Sequence, residues 1–148
     1  MLAEKILTEK EQEDHLNNNW KVNPKVTFTF PEGLRIRTGH LLERIVVKDS
    51  IEPSVNYWNI LDFIKFQHDP DNLWLRITYY RYLKDEIVRT KKGKITNKRW
   101  IFAGQTSISD PISAFERLFV KAIKEDKSGK WIRPLFKNIM KECHKELE

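Results

Sequence analysis

Between Lys84 and Arg99 the chain carries Lys84, Arg89, Lys91, Lys92, Lys94, Lys98 and Arg99 against only Asp85 and Glu86. That is a local surplus of five in a protein whose whole formal charge is +6. Flanking this run stand Trp74, Tyr79, Tyr80, Tyr82 and Trp100. Clustered cations neutralise phosphate and release its counterions, and aromatic rings stack on bases, so this combination suits contact with nucleic acid. Alternation along an extended strand puts Leu73, Leu75, Ile77 and Tyr79 on one side and Trp74, Arg76, Thr78, Tyr80 and Tyr82 on the other. The first side is expected to be core and the second a nucleic-acid face. In that reading Trp74, Tyr80, Tyr82 and Trp100 supply planes, and Arg76, Arg89, Lys91, Lys92, Lys94, Lys98 and Arg99 supply charge. The competing expectation for the same pattern is that the second side lies beneath the N-terminal segment or a subunit partner, with Arg76 paired to a carboxylate.

Other reactive residue types are present without the spacing that chemistry requires. His15, His40, His68 and His144 are scattered, and Cys143 next to His144 is a poor chelate because successive helical residues point about 100° apart. No metal or other cofactor is expected. Asp62, Asp69 and Asp71 lie close together, as a metal-dependent nuclease would need, but no Asp/Glu-x-Lys follows, and residues 69–72 read as a turn. Ala103-Gly104-Gln105-Thr106-Ser107 contains one glycine and no lysine, which makes it a helix-capping connection rather than a phosphate loop. Arg35 and Arg37 share a strand face that would extend a basic track toward Arg44 and Lys48 if those strands adjoin, and otherwise are ordinary surface cations. With no catalytic signature, the expected function is binding of nucleic acid, DNA or RNA. A protein-interaction or assembly module that forms a homodimer is the alternative, and a nuclease the third reading.

A sequence pI near 9.4 favours polyanionic partners through long-range attraction. One cysteine cannot form an intramolecular disulfide, which fits a reducing compartment. There is no apolar signal core near the N-terminus, and no run of about 18 apolar residues that would suit a membrane span. The expectation is a cytoplasmic protein with no membrane partner.

The elements that must position these residues can be read from periodicity. Leu2 to Leu16 reads as a charged helix, with Thr8 and Glu11 spaced as a capping box that restarts a turn and Asn17-Asn18-Asn19 as its end. Alternation of Val26, Phe28 and Phe30 with threonines, then Pro31-Glu32-Gly33, predicts a hairpin into Leu34–Arg37, and Glu43–Lys48 reads as a third strand. Ser54–Gln67 fits both a helix and a strand interrupted by Asp62, and its length favours helix. Leu73–Thr90 and Asn97–Gly104 form the main hairpin, with Gly93 near its tip. Asp110 and Pro111 open a helix that ends near Ser128-Gly129, and a last helix starts at about Pro134. Strands first and helices last predict one α+β domain over residues 1–148, of which 1–19 is the charged helical segment. Its mainly antiparallel sheet would carry a long basic hairpin and be covered on one face by the C-terminal helices.

Overall fold

The computed structural model describes residues 6–30, 35–84, 88–89, 95–96, 99–103, 107–125 and 132–147. It is an α+β protein. Helix α1 (Glu9–Val22) precedes strands β1 (Lys25–Phe30), β2 (Arg35–Glu52), β3 (Val55–Phe66) and β4 (Asp69–Leu83). Short strands β5 (Val88–Arg89), β6 (Ile95–Thr96), β7 (Trp100–Phe102) and β8 (Ile108–Pro111) follow, then helices α2 (Ile112–Glu125) and α3 (Ile132–Leu147). The main sheet has the order β1-β2-β3-β4-β7, with β8 also paired to β4, while β5 and β6 form a second ladder. The chain divides into two compact units, 1–110 and 111–148. No helix among the described residues is long and apolar enough to cross a membrane.

Each element has a local cause. Thr8 caps α1 by accepting from the Glu11 backbone, and the Glu11 side chain accepts from the Thr8 N–H, so the capping box starts the helix rather than restarting a turn within it. The helix runs through Asn17-Asn18-Asn19 to Val22, because Gln12, Leu16 and Trp20, four residues apart, form the stripe that meets the sheet. The two predicted strands 34–37 and 43–48 are one strand, β2. A register shift between Leu41 and Glu43 inserts the extra residue that lets both Leu41 and Arg44 face inward.

Ser54–Gln67 is not helical. Strand β3 alternates strictly, burying Asn56, Trp58, Ile60, Asp62, Ile64 and Phe66. Asp62 does not interrupt the strand, because its carboxylate meets cationic partners in the interior. Pro111 closes β8 instead of opening α2. In the unit 111–148, Phe119 packs edge-on to Phe136 at 5.5 Å, and Arg133 Nε donates to the Ile123 carbonyl at 3.0 Å.

The interior of the sheet unit is in two parts. Leu16, Trp58, Ile60 and Tyr82 form one cluster, flanked by Leu7, Val46, Tyr80 and Trp100; Leu41, Ile64 and Phe66 form the other, flanked by Trp20, Val26 and Trp74. Burying each such large side chain contributes about 1.5–3 kcal/mol. The face predicted as core is the outer one. Leu73 and Ile77 are 38% and 44% exposed, whereas Tyr82 and Arg76 on the other side of the same strand are 1% and 5% exposed. Helix α1 is the reason: it is amphipathic enough to cover a face rich in large rings, and Trp58 and Tyr82 remove more apolar area from water than the aliphatic row would.

Gly39 is where backbones approach most closely, since a Cβ built there would stand 2.8 Å from the Lys65 carbonyl and 3.0 Å from Ile64 and Phe66 side-chain carbons. The nearest atom is backbone and cannot rotate away. Gly39→Val should therefore destabilise the protein by about 1–3 kcal/mol, read from urea unfolding midpoints. A midpoint equal to that of the parent would show that β2 and β3 are not this close.

Candidate functional site

Three ionisable residues lie side by side across the inner face. Arg44 on β2 is the register partner of Asp62 on β3, which is in turn the register partner of Arg76 on β4. Strand pairing alone thus aligns two cations on either side of one anion. Arg44 Nε donates to Asp62 Oδ1 at 2.7 Å and Arg44 Nη2 to Oδ2 at 3.1 Å. Arg76 Nη2 and Nε both donate to Oδ2, at 2.7 and 3.1 Å. Asp62 thus accepts four charge-assisted bonds, three of them on Oδ2 and one on Oδ1. Asp62 is 0% exposed. Burial works against the Arg44 charge, but the hydrogen bond and charge of Asp62, with a further contribution from Tyr80, more than offset it and hold the guanidinium above its ordinary value.

The guanidiniums also meet rings. Arg44 lies 5.5 Å from the Tyr80 ring centroid and Arg76 5.1 Å from that of Phe102. Beside them is a cavity of about 270 Å³ lined by Trp20, Lys25, Arg44, Arg76, Tyr80 and Phe102, among others. Lys25 belongs to β1 and Phe102 to β7, with three strands between them in the sheet, so the sheet is curled into a trough. Trp20 Nε1 is buried and has no hydrogen-bond partner among the described residues.

Helix α1 closes the neighbouring end of the trough with polar as well as apolar contacts. Gln12 Oε1 accepts from Asn56 Nδ2 and from Trp58 Nε1, each at 2.9 Å, while its own Nε2 donates to the Leu7 carbonyl. The Leu7 N–H donates to the Tyr82 hydroxyl at 2.8 Å. His15 stacks on Trp100 with centroids 5.0 Å apart and planes 18° apart. Burial, then the positive charge of Arg44, hold the His15 imidazole below its usual range.

The expected nucleic-acid residues therefore divide. Arg76 and Tyr82 are interior, and Arg99 is buried, with Nη1 donating to the Leu83 carbonyl at 3.0 Å. Trp100 is half-buried between His15 and Tyr82; Tyr80 is half-buried against Phe102 and Arg44. Trp74 is half-buried against Phe66 and donates from Nε1 to Asp69 at 3.0 Å. The open aromatic platform expected from alternation is thus corrected: its rings pack on each other and under α1, and the competing expectation, with Arg76 on a carboxylate, is the arrangement found. The side chains of Arg89, Lys91, Lys92, Lys94 and Lys98, like Arg35, lie outside the described residues, as do Gly104, Gln105 and Thr106.

Two of the three carboxylates considered for a nuclease have structural partners: Asp62 as above, and Asp69 through Asn72 and Trp74. Among the described residues no group of three or more His, Cys, Asp or Glu is arranged to hold a metal. Sequence reasoning weighed Asp62 only as a nuclease carboxylate and Arg44 only as part of a basic track, and it missed their pairing and Trp20. The available signal was the even spacing of Asp62 with Trp58, Ile60, Ile64 and Phe66, which put the carboxylate on the buried side of any strand. No family model, curated protein or solved structure matches the chain.

Asp62→Asn removes the carboxylate that two buried guanidiniums share, and the expected loss is about 3–5 kcal/mol in chemical denaturation. A loss below about 1 kcal/mol, the worth of an exposed ion pair, would mean that the trio is solvated. For His15 the sign follows from its lowered value. The unfolded chain takes up a proton near pH 6.5 while the folded chain resists, so His15's contribution is complete above that pH and declines as pH falls below it. Melting temperature should fall more steeply between about pH 6.5 and pH 5 in the parent than in His15→Phe, which keeps a ring on Trp100. Parallel curves would show that His15 titrates as it does in the unfolded chain.

Proposed function

We propose that the chain is a cytoplasmic, non-enzymatic nucleic-acid-binding protein that grips the phosphate backbone through the basic segment between β4 and β7. The observation that carries this reading is where the charge falls relative to the pairing. Strand β4 pairs with β7 through Tyr80↔Phe102, Arg81↔Ile101 and Tyr82↔Trp100, and β5 pairs with β6 through Val88↔Thr96 and Arg89↔Ile95. Lys91, Lys92 and Lys94 fall in the sequence between β5 and β6, within the 84–99 segment that holds the local surplus of five positive charges. With Arg76, Arg99 and Tyr82 committed to the interior, recognition rests on phosphate rather than on stacked bases or base edges.

A second reading, an assembly module forming a homodimer, is favoured by the outer face of the sheet. Ile45, Val47, Leu73 and Ile77 are exposed there, and Ile45, Leu61 and Ile77 are register partners in one row.

Fluorescence anisotropy with labelled single-stranded and duplex oligonucleotides, titrated across salt, separates the two. Binding should weaken linearly on a log–log plot, and replacing Lys91, Lys92 and Lys94 together by alanine should reduce the slope by about 2–3. Affinity that ignores salt, or a triple variant that binds like the parent, would sink the nucleic-acid reading. Absence of binding in a protein that sediments as a dimer would transfer support to the assembly reading.

A further inference from the structure

Helix α1 covers the inner face of the sheet, and the outer face carries an apolar centre with a charge pattern of its own. Ile45, Leu61 and Ile77 form one row across β2, β3 and β4, and in the next row Val47 and Tyr79 flank Asn59. The row after that is Asp49, Tyr57 and Arg81, which sets an anion and a cation on opposite sides of β3. Ile45, Val47, Asp49 and Ile77 are exposed. Arg81 is half-buried, and its Nε is a buried donor with no hydrogen-bond partner among the described residues. A guanidinium N–H in that position costs free energy until an acceptor reaches it.

Two sheets that pack face to face with aligned strands can be related by a two-fold axis across the strands or along them. An axis across the strands lays β2 on β2 and brings the Asp49 end of one copy over the Glu43 end of the other, anion on anion. An axis along β3 lays β2 of one copy over β4 of the other. Ile45 then meets Ile77, Leu61 meets its own counterpart, and Asp49 meets Arg81 on both sides of the axis. Only this second arrangement matches apolar with apolar and opposite charges with each other.

We infer, building on the assembly reading above, that the outer face binds a second copy of this chain about a two-fold axis along β3, with Asp49 of each copy paired to Arg81 of the other. Because an axis along the strands preserves their direction, Leu83 at the end of β4 lies at the same end of the dimer in both copies. The basic segment 84–99 follows Leu83 in sequence, so two local surpluses of five positive charges leave from one end and can engage one nucleic acid together.

The test is sedimentation velocity of the full-length protein with charge-reversed variants. The parent should sediment as a dimer at micromolar concentration. Asp49→Arg alone and Arg81→Asp alone should each weaken the dimer about tenfold, and the two together should restore it. Ile77→Glu should give a monomer whose far-UV circular dichroism is that of the parent, and whose oligonucleotide affinity is about tenfold lower. Alanine at Lys91, Lys92 and Lys94 should leave the dimer unchanged, so a protein that binds no oligonucleotide still tests the contact. The inference is overturned by a monomeric parent, by a dimer that survives Ile77→Glu, or by a double reversal that recovers nothing; an Ile77→Glu monomer that binds oligonucleotide as the parent does would overturn the joint engagement.

Discussion

One buried carboxylate holds the middle of this protein together. Asp62 sits between Arg44 and Arg76 in the register of three adjacent strands, and its four hydrogen bonds join β2, β3 and β4 on the face that is out of water. A one-residue slip of either neighbour would turn its arginine to the outer face and leave Asp62 charged and buried with half its partners. The trio therefore constrains register as much as it stabilises. It also explains why the interior has two hydrophobic clusters, since the charged row crosses the face between Ile60 and Ile64, which belong to different clusters.

Helix α1 follows from that arrangement. A sheet face holding Trp58, Tyr80, Tyr82, Asn56 and two arginines cannot be covered by aliphatic side chains alone, because its indole, amide and hydroxyl groups need partners once water is removed. Gln12 meets Asn56 and Trp58, the Leu7 N–H meets Tyr82, and Leu16 fills the space between. The helix makes the aromatic face interior, and where its stripe ends at Trp20 the cover ends too, leaving the cavity beside Arg44.

Positive charge is thereby divided between two places. The segment 84–99 holds a surplus of five positive charges in the sequence. The trough beside Arg44 is lined by the rings of Trp20, Tyr80 and Phe102 and by two guanidiniums bonded to Asp62. The rings that adjoin the basic segment in sequence belong to the second place and not to the first.

Much of this was legible from residue order. The α+β class, the antiparallel pairing of the strands, the Thr8/Glu11 capping box, the two C-terminal helices and the crowding of charge at 84–99 follow from period, turn chemistry and composition, which act over a few residues. Which side of β4 would face inward did not follow, because both Leu73/Ile77 and Tyr80/Tyr82 are apolar enough to be buried, and the choice depends on what α1 can satisfy. Ser54–Gln67 was misread as helix for a related reason: Asp62 looks like an interruption until its partners, 18 residues earlier and 14 later, are brought alongside. Local order determined what could form strands and helices. Only the tertiary structure decided which charges were interior, since a buried carboxylate is tolerable only where distant cations arrive in register.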